Sequence, residues 1–537
     1  MGGTKVAGAM WRVPCGYLLI GATLWLLLAS PPAQAAQYAG ETLASEATQH
    51  DTELLVLFQD RARDAVCQSR KVVMTEVTTR PAEAPAPGAV PAGPWSERWY
   101  IDRCGTLVAW DVSYTPTDQG SVEIGLRPAE DFRATSPKQT EERYQDGMVI
   151  WRTPDDAKVP FLLKFNVNTQ IRYLNTTGSK DTFTDHLGNV FEVNERNDIT
   201  VNRAMFILGG YIWDQRLRYS FTVWTSAGSA SIVVAGNIGW QFSKGFTLTG
   251  GYTGVPGTRS LVNTFPFFTS SDRTMADNFF RPAFTQGIWG SGEPVKGLHY
   301  LAFVGNGLNT LNISAAKIDT NLMYSTSVWW EPLGNYGPPG KSRNMYDDYF
   351  AEDKVRIRVG TSFTRSREDR FSNLDVSSPE NTSLHNSDGV LTFSTGAFAP
   401  GVTVENATYQ MWAIDGGIKY NGLAINGQYF RRWLNDFDAD GPLPLDSTFD
   451  HGFELVAGKF IVPRKLMAYV RGSMVFGEFN DSGEYAGGVK WHFLPTERLW
   501  LQPELMKVNR SPYTGTFTPY TSGLTGWVPM IQAVIAF

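Results

Sequence analysis

The chain has 537 residues, 47 basic against 53 acidic, for a formal net charge of −6. That balance leaves no basic footprint for nucleic acid, and three cysteines exclude a disulfide-dense scaffold. Beyond residue 35 no apolar run is long enough for a transmembrane helix, so any membrane crossing needs strands closed into a barrel, because lipid offers the backbone no hydrogen-bond partners.

Residues 1–35 read as a secretory signal peptide. Lys5 and Arg12 precede the apolar run YLLIGATLWLLL, and the small-residue site Ala33-Gln34-Ala35 follows. Cleavage removes Cys15 and leaves 45 basic residues against 53 acidic ones. Cys67 and Cys104 are then the remaining thiols, and an oxidising compartment favours their pairing as a disulfide.

Residues 36–150 form a candidate small α+β periplasmic domain with a linker. TELLVLFQDRARDAVC (52–67) suggests a short helix, and PAEAPAPGAVPAGP (81–94) a Pro/Ala-rich loop or linker. LVAWDVSYTPTDQGSVEIGL (107–126) reads as two strands around a turn. Nothing in this region is catalytic in type; tethering or packing beneath a barrel is its expected role.

From residue 151 onward the pattern becomes that of a transmembrane antiparallel β-barrel. In FLLKFNVNTQIRY (161–173), Leu163, Phe165, Val167, Ile171 and Tyr173 share one face, and Lys164, Asn166, Asn168, Gln170 and Arg172 the other. RLRYSFTVW (216–224) and KVRIRVGTSFT (354–364) split in the same way. The strands expected are 161–174, 199–211, 216–226, 230–241, 246–254, 284–290, 297–305 and 317–330, then 354–364, 408–419, 422–432, 449–460, 465–477, 484–494, 497–508 and 525–537. Sixteen is an even number, as bacterial outer-membrane barrels require. Segment 331–353 is too long for the periplasmic turn this count assigns it; either the count slips there or the segment folds into the lumen. Pro503 inside a strand is a second irregularity. Trp527, Pro529, Ile531, Ala533, Ile535 and Phe537 make one face of the final strand.

With the apolar face in lipid, the polar face lines the lumen. It carries Lys164, Arg172, Arg216, Arg218, Lys354, Arg356, Arg358, Arg432, Lys490 and Arg498, with Glu454 and Glu504 as the main acidic exceptions. Such a cationic interior attracts anions; alternatively, the cations pair with loop carboxylates and hold the wall together. The segment 255–287 brings Arg259, Arg273 and Arg281 among aromatic residues, as a loop narrowing the channel would. Six scattered histidines and the absence of GxSxG or HExxH motifs argue against an enzyme. DFDADG (436–441) starts like a calcium loop, but Ser447 stands where the bidentate Glu belongs, so no metal site is expected.

GYTGVPGTRSLVN (251–263) and FFRPAFTQGIWGSGEPVKGLHYLAFVGNGLN (279–309) together resemble the phosphate-selective porin O and P family. The resemblance covers roughly residues 150–537 and implies a sixteen-stranded, usually trimeric, outer-membrane porin with an arginine-lined path for phosphate or polyphosphate. It also implies that the terminal aromatic strand is read by the barrel-assembly machinery. The expectation is a cofactor-free diffusion channel for small anionic solutes in the bacterial outer membrane, with lipid around it and its N-terminal domain in the periplasm. The rivals are a plugged barrel serving as adhesin or structural protein, and a barrel hydrolase whose Ser and His meet only in space.

Overall fold

The computed structural model describes residues 38–537 except 64–66, 68, 83–90, 105, 118–120, 130–143, 145, 155–156, 227–230, 263–265, 311–317, 319, 338–344, 372, 374–382, 495 and 516. The signal peptide and most of the Pro/Ala-rich stretch lie outside the described residues. The chain divides into two compact units, Met1–Arg143 and Tyr144–Phe537.

Among the described residues the first unit is a five-stranded sheet with one helix. Its strands are β1 (Ala39–Gly40), β2 (Arg70–Thr79), β3 (Trp95–Arg103), β4 (Thr106–Pro116) and β5 (Val122–Pro128), paired in that order, and its helix is α1 (Glu46–Arg63). β3 supplies Trp95, Trp99 and Ile101 to the core. Glu97, fully buried between them, interrupts the apolar alternation that marks a strand. Its carboxylate accepts the Trp95 and Trp99 indole N–H groups (3.0 Å each), the Leu43 N–H (2.7 Å) and the Thr42 hydroxyl. α1 buries Gln49, Thr52, Val56 and Asp60, while Leu54, Leu55 and Phe58 stay exposed. Asp60 receives the Arg70 guanidinium at 2.9 Å, the Trp110 indole at 3.2 Å and the Arg103 guanidinium. Burial alone would raise this carboxyl; the donors from Arg103, Trp110 and Arg70 outweigh burial and hold it below its usual range. Cys67 and Cys104 are bonded, with Cα atoms 5.8 Å apart.

The second unit is a closed antiparallel barrel of sixteen strands. They are β7 (Phe161–Asn175), β10 (Asn197–Ile212), β11 (Asp214–Ser226), β12 (Ser231–Ser243), β13 (Phe246–Gly254), β14 (Phe284–Val295), β15 (Leu298–Gly305) and β16 (Met323–Trp330). The other eight are β17 (Arg356–Asp369), β18 (Val404–Tyr420), β19 (Leu423–Ala439), β20 (Ser447–Val462), β21 (Leu466–Phe476), β22 (Ser482–Trp491), β23 (Leu499–Asn509) and β24 (Gly526–Ala536). β24 pairs with β7, Gln532 opposite Arg172, which closes the wall. A short β6 (Met148–Arg152) adds to β7, so the barrel unit begins before residue 151, and β8 (Thr182–Thr184) and β9 (Val190–Glu192) make a loop hairpin.

Each strand alternates because one face meets the lumen and the other the outside. Ile171, Phe206, Ile232, Val234, Ile288, Val359, Leu455, Val470, Leu505 and Ile531 are exposed on the outer face. No water-soluble barrel gains by displaying such a band; hydrocarbon is the solvent it fits. Among the described residues no helix is long and apolar enough to cross a membrane, which says nothing about strands.

Candidate functional site

The lumen is where polar chemistry collects, and four loop segments enter it. From the long-loop mouth come residues 255–283, whose described members are all buried. A 3-10 turn (Arg259–Leu261) and a short helix α2 (Met275–Phe280), capped by the Thr274 hydroxyl, shape this segment. The wall binds its backbone donors. The Arg259 N–H reaches Gln428 (3.0 Å), the Ser271 N–H reaches Glu504 (3.0 Å), and the Met275 N–H reaches Glu484 (2.8 Å). Carboxylates facing free N–H groups make charge-assisted bonds, so the segment is anchored across the barrel.

Segment 331–353 enters from the opposite mouth. The strand count does not slip; this stretch folds inward. Tyr336 and Met345–Tyr349 are buried. Lys419 donates to the Tyr336 and Met345 carbonyls (2.7 Å each), Lys490 pairs with Asp347 (2.8 Å), and the Gly422 N–H reaches Asp348 (2.6 Å). The two segments touch: the Tyr346 N–H donates to the Phe267 carbonyl at 3.2 Å, and Arg259 lies over the Tyr346 ring at 4.0 Å. Residues 383–393 and the described members of 511–525 fill further space, with the Tyr520 hydroxyl on Glu484 at 2.6 Å.

Most expected lumen cations face inward but are already engaged. Arg172 meets Asp272 (3.0 Å), Arg358 meets Asp415 (2.8 Å) and Glu331 (3.7 Å), and Arg432 meets Asp450 (2.7 Å); all three are buried. Arg356 is half-buried against Glu352 (2.9 Å), and Arg216 is exposed beside Asp214 (2.7 Å) near the turn at Trp213. Lys354 lies before β17, exposed in the connection rather than in the wall. Of the loop arginines, Arg259 donates to Asn426 (2.8 Å), Arg273 approaches Asp277 (3.7 Å), and Arg281 donates to Asn278 (3.3 Å), every one buried. The acidic partners Asp272, Asp415, Asp450 and Glu484 escaped the sequence reading. Asp415, Asp450 and Glu484 lie on the polar faces of β18, β20 and β22, where alternation alone could have flagged them.

The lumen is unevenly filled. On β19 to β24 the inward side chains are buried by the entering segments. On β10 to β13 the inner wall keeps accessible surface at Ser220, Thr222, Asn237, Gln241, Thr247 and Thr249. In register, Lys164, Gly209, Ser220, Asn237 and Gly251 form one row across five strands. The next row holds Tyr211, Arg218, Gly239 and Thr249. Small side chains leave room beside this wall. Arg218 is exposed there and makes no ion pair among the described residues, and Lys164 is half-exposed in the neighbouring row.

His186 bonds Asp388 (2.6 Å), and His385 and His492 bond the Ser383 and Thr496 carbonyls; none of these bonds reaches a serine hydroxyl. Burial pushes His385 down to about 4. Among the described residues no three His, Cys, Asp or Glu side chains gather as a metal site requires.

No family model matches the chain, and no curated protein matches it. Among solved structures it is similar to outer-membrane-expressed OmpT of Vibrio cholerae, at 12% identity over 72% of this chain and 100% of that one, with a TM-score of 0.44. It is also similar to an anion-selective porin from Comamonas acidovorans, at 10% identity over 71% of this chain and 99% of that one, TM-score 0.43. OmpF of Salmonella typhi, solved with daunomycin, matches at 12% identity over 72% of this chain and 100% of that one, TM-score 0.43.

Proposed function

We propose that the chain is a bacterial outer-membrane porin, a channel for passive diffusion of small hydrophilic solutes that favours anions of the phosphate kind. The observation that carries this reading is the accessible polar wall on β10 to β13 inside a closed barrel with an apolar exterior. Polar lining and small side chains admit water, and water-filled passage needs no cofactor. Arg218 and Lys164 border that wall with positive charge, which lowers the barrier for anions and raises it for cations. In this reading lipid covers the outer band, the N-terminal domain faces the periplasm, β24 presents the chain to the barrel-assembly machinery, and three copies associate, as the porin O and P resemblance implies.

The test is the reversal potential in planar bilayers under a potassium chloride gradient, followed by added phosphate. Anion selectivity and a chloride current reduced by phosphate are expected; a cation-selective channel would defeat the anion preference. The filling of the lumen from both mouths favours a second reading, a plugged barrel acting as adhesin or structural protein. Correctly folded, inserted protein with no conductance would select it.

A further inference from the structure

β19 carries two adjacent arginines on opposite faces. Arg432 points inward to Asp450, whereas Arg431 lies on the outer face between Tyr429 and Trp433, alternating with buried Phe430 and Leu434. Arg431 is half-buried, and its Nε has no hydrogen-bond partner. It makes no ion pair among the described residues; instead it lies over the Tyr429 and Phe449 rings at 5.9 Å each. Across the sheet it stands opposite Trp412 on one side and His451 on the other. His451 stacks on Phe476 at 5.1 Å, and its Nδ1 is likewise unpartnered. Two strands away, about 10 Å across the sheet, Arg365 is exposed on the same outer face with no ion pair among the described residues. Arg367 beyond it is already held by Thr408 (3.3 Å) and the Asp436 carbonyl.

The height of this patch matters. Arg431 is eight residues along β19 from Leu423 at the short-turn end. That is about 27 Å along the strand, or about 20 Å along the barrel axis at the usual tilt, near the upper edge of an apolar band about 25 Å tall. A guanidinium facing lipid at that level, ringed by aromatic groups and lacking a protein anion, needs an anion that is itself lipid-borne. We propose that the outer wall of β17 to β20 binds a phosphate-bearing lipid of the outer leaflet, with Arg431 and Arg365 on its phosphates and the aromatic ring against its headgroup and upper acyl chains. The proposal goes beyond the channel reading but rests on its membrane placement.

The test uses the full-length protein in detergent, loaded with diphosphorylated lipid A, exchanged into lipid-free detergent and weighed by native mass spectrometry. Retained lipid A is expected on the wild type, and loss of charge-assisted bonds in an Arg431→Leu, Arg365→Gln variant should weaken retention by about tenfold. Dephosphorylated lipid A should not be retained, and excess inorganic phosphate should not displace the bound lipid. Equal retention of both lipids, unchanged retention in the variant, or displacement by free phosphate would each overturn the proposal, the last by assigning the site to a soluble anion. Leucine suits a lipid-facing position; if the double variant does not fold, Arg365→Gln alone is read, with a smaller loss expected and none fatal. Single-channel conductance of the same samples reports on the channel separately.

Discussion

Arg358 and Arg218 show how two arginines on one barrel interior come to do different work. Arg358 is buried between Asp415 and Glu331 with its guanidinium over Trp329, so its charge is spent on the wall. Changing Arg358→Ala strands two buried carboxylates, and breaking a buried pair costs about 3–5 kcal/mol. A lower denaturation midpoint with unchanged ion selectivity is expected. Arg218 is exposed over a wall of small residues, so Arg218→Gln should shift the reversal potential toward cations while altering stability by less than about 0.5 kcal/mol. Unchanged selectivity in that variant would remove Arg218 from the ion path. Sequence could place these arginines on one face but not tell them apart. Arg172 finds Asp272 one hundred residues later, and Arg358 finds Asp415 fifty-seven residues later, so pairing is invisible to local pattern. In the N-terminal unit, Asp60 is held below its usual range when folded, so its stabilising contribution is present above the unfolded value near 3.9 and is lost as pH falls through that value toward the folded one. The hydrogen-exchange protection factors of β3 amides should fall in that acid window, and less so in an Asp60→Asn variant.

The elements of the barrel were legible because alternation with a strongly polar second face repeats along the wall. All sixteen expected strands are present, most with ends shifted by a few residues. The N-terminal strands β2 and β3 were not expected. Glu97 on β3 is a buried carboxylate satisfied by indole donors, and a period-two reading takes it for a surface residue. α1 misleads in the opposite sense, burying Gln49 and Thr52 while exposing Phe58 at 70%. Deleting residues 528–537 removes most of β24 and leaves one edge of β7 and one edge of β23 open, so outer-membrane accumulation should fall to background on fractionation. Normal accumulation would mean that the seam closes without it. Cys67 and Cys104 should yield no titratable thiol in unreduced, unfolded protein, and the bond should stabilise its unit by about 2–4 kcal/mol.

The free width of the lumen is set by what enters the barrel rather than by the barrel's girth. Replacing residues 333–350 with a short Gly-Ser linker keeps β16 and β17 intact and removes the stretch that meets Phe267 and Lys490. Single-channel conductance should rise severalfold over wild type. Conductance equal to wild type would show that this stretch does not limit the flow, and the path beside β10 to β13 would then carry all of it.

The anchors of segment 255–283 also dictate an order of assembly. Ser271 finds its carboxylate 233 residues downstream, on Glu504, and Met275 finds its own 209 residues downstream, on Glu484. Those partners lie on β22 and β23, and β23 adjoins the strand that completes the seam. The contents must therefore wait for nearly the last strands to be made, then be enclosed as β24 meets β7. Contacts so distant along the chain slow folding, because loop-closure entropy must be overcome before any of them forms. Refolding should show a slow final phase, one that Glu484→Gln and Glu504→Gln variants retard by weakening the grip on a segment that has to be caught before the wall shuts.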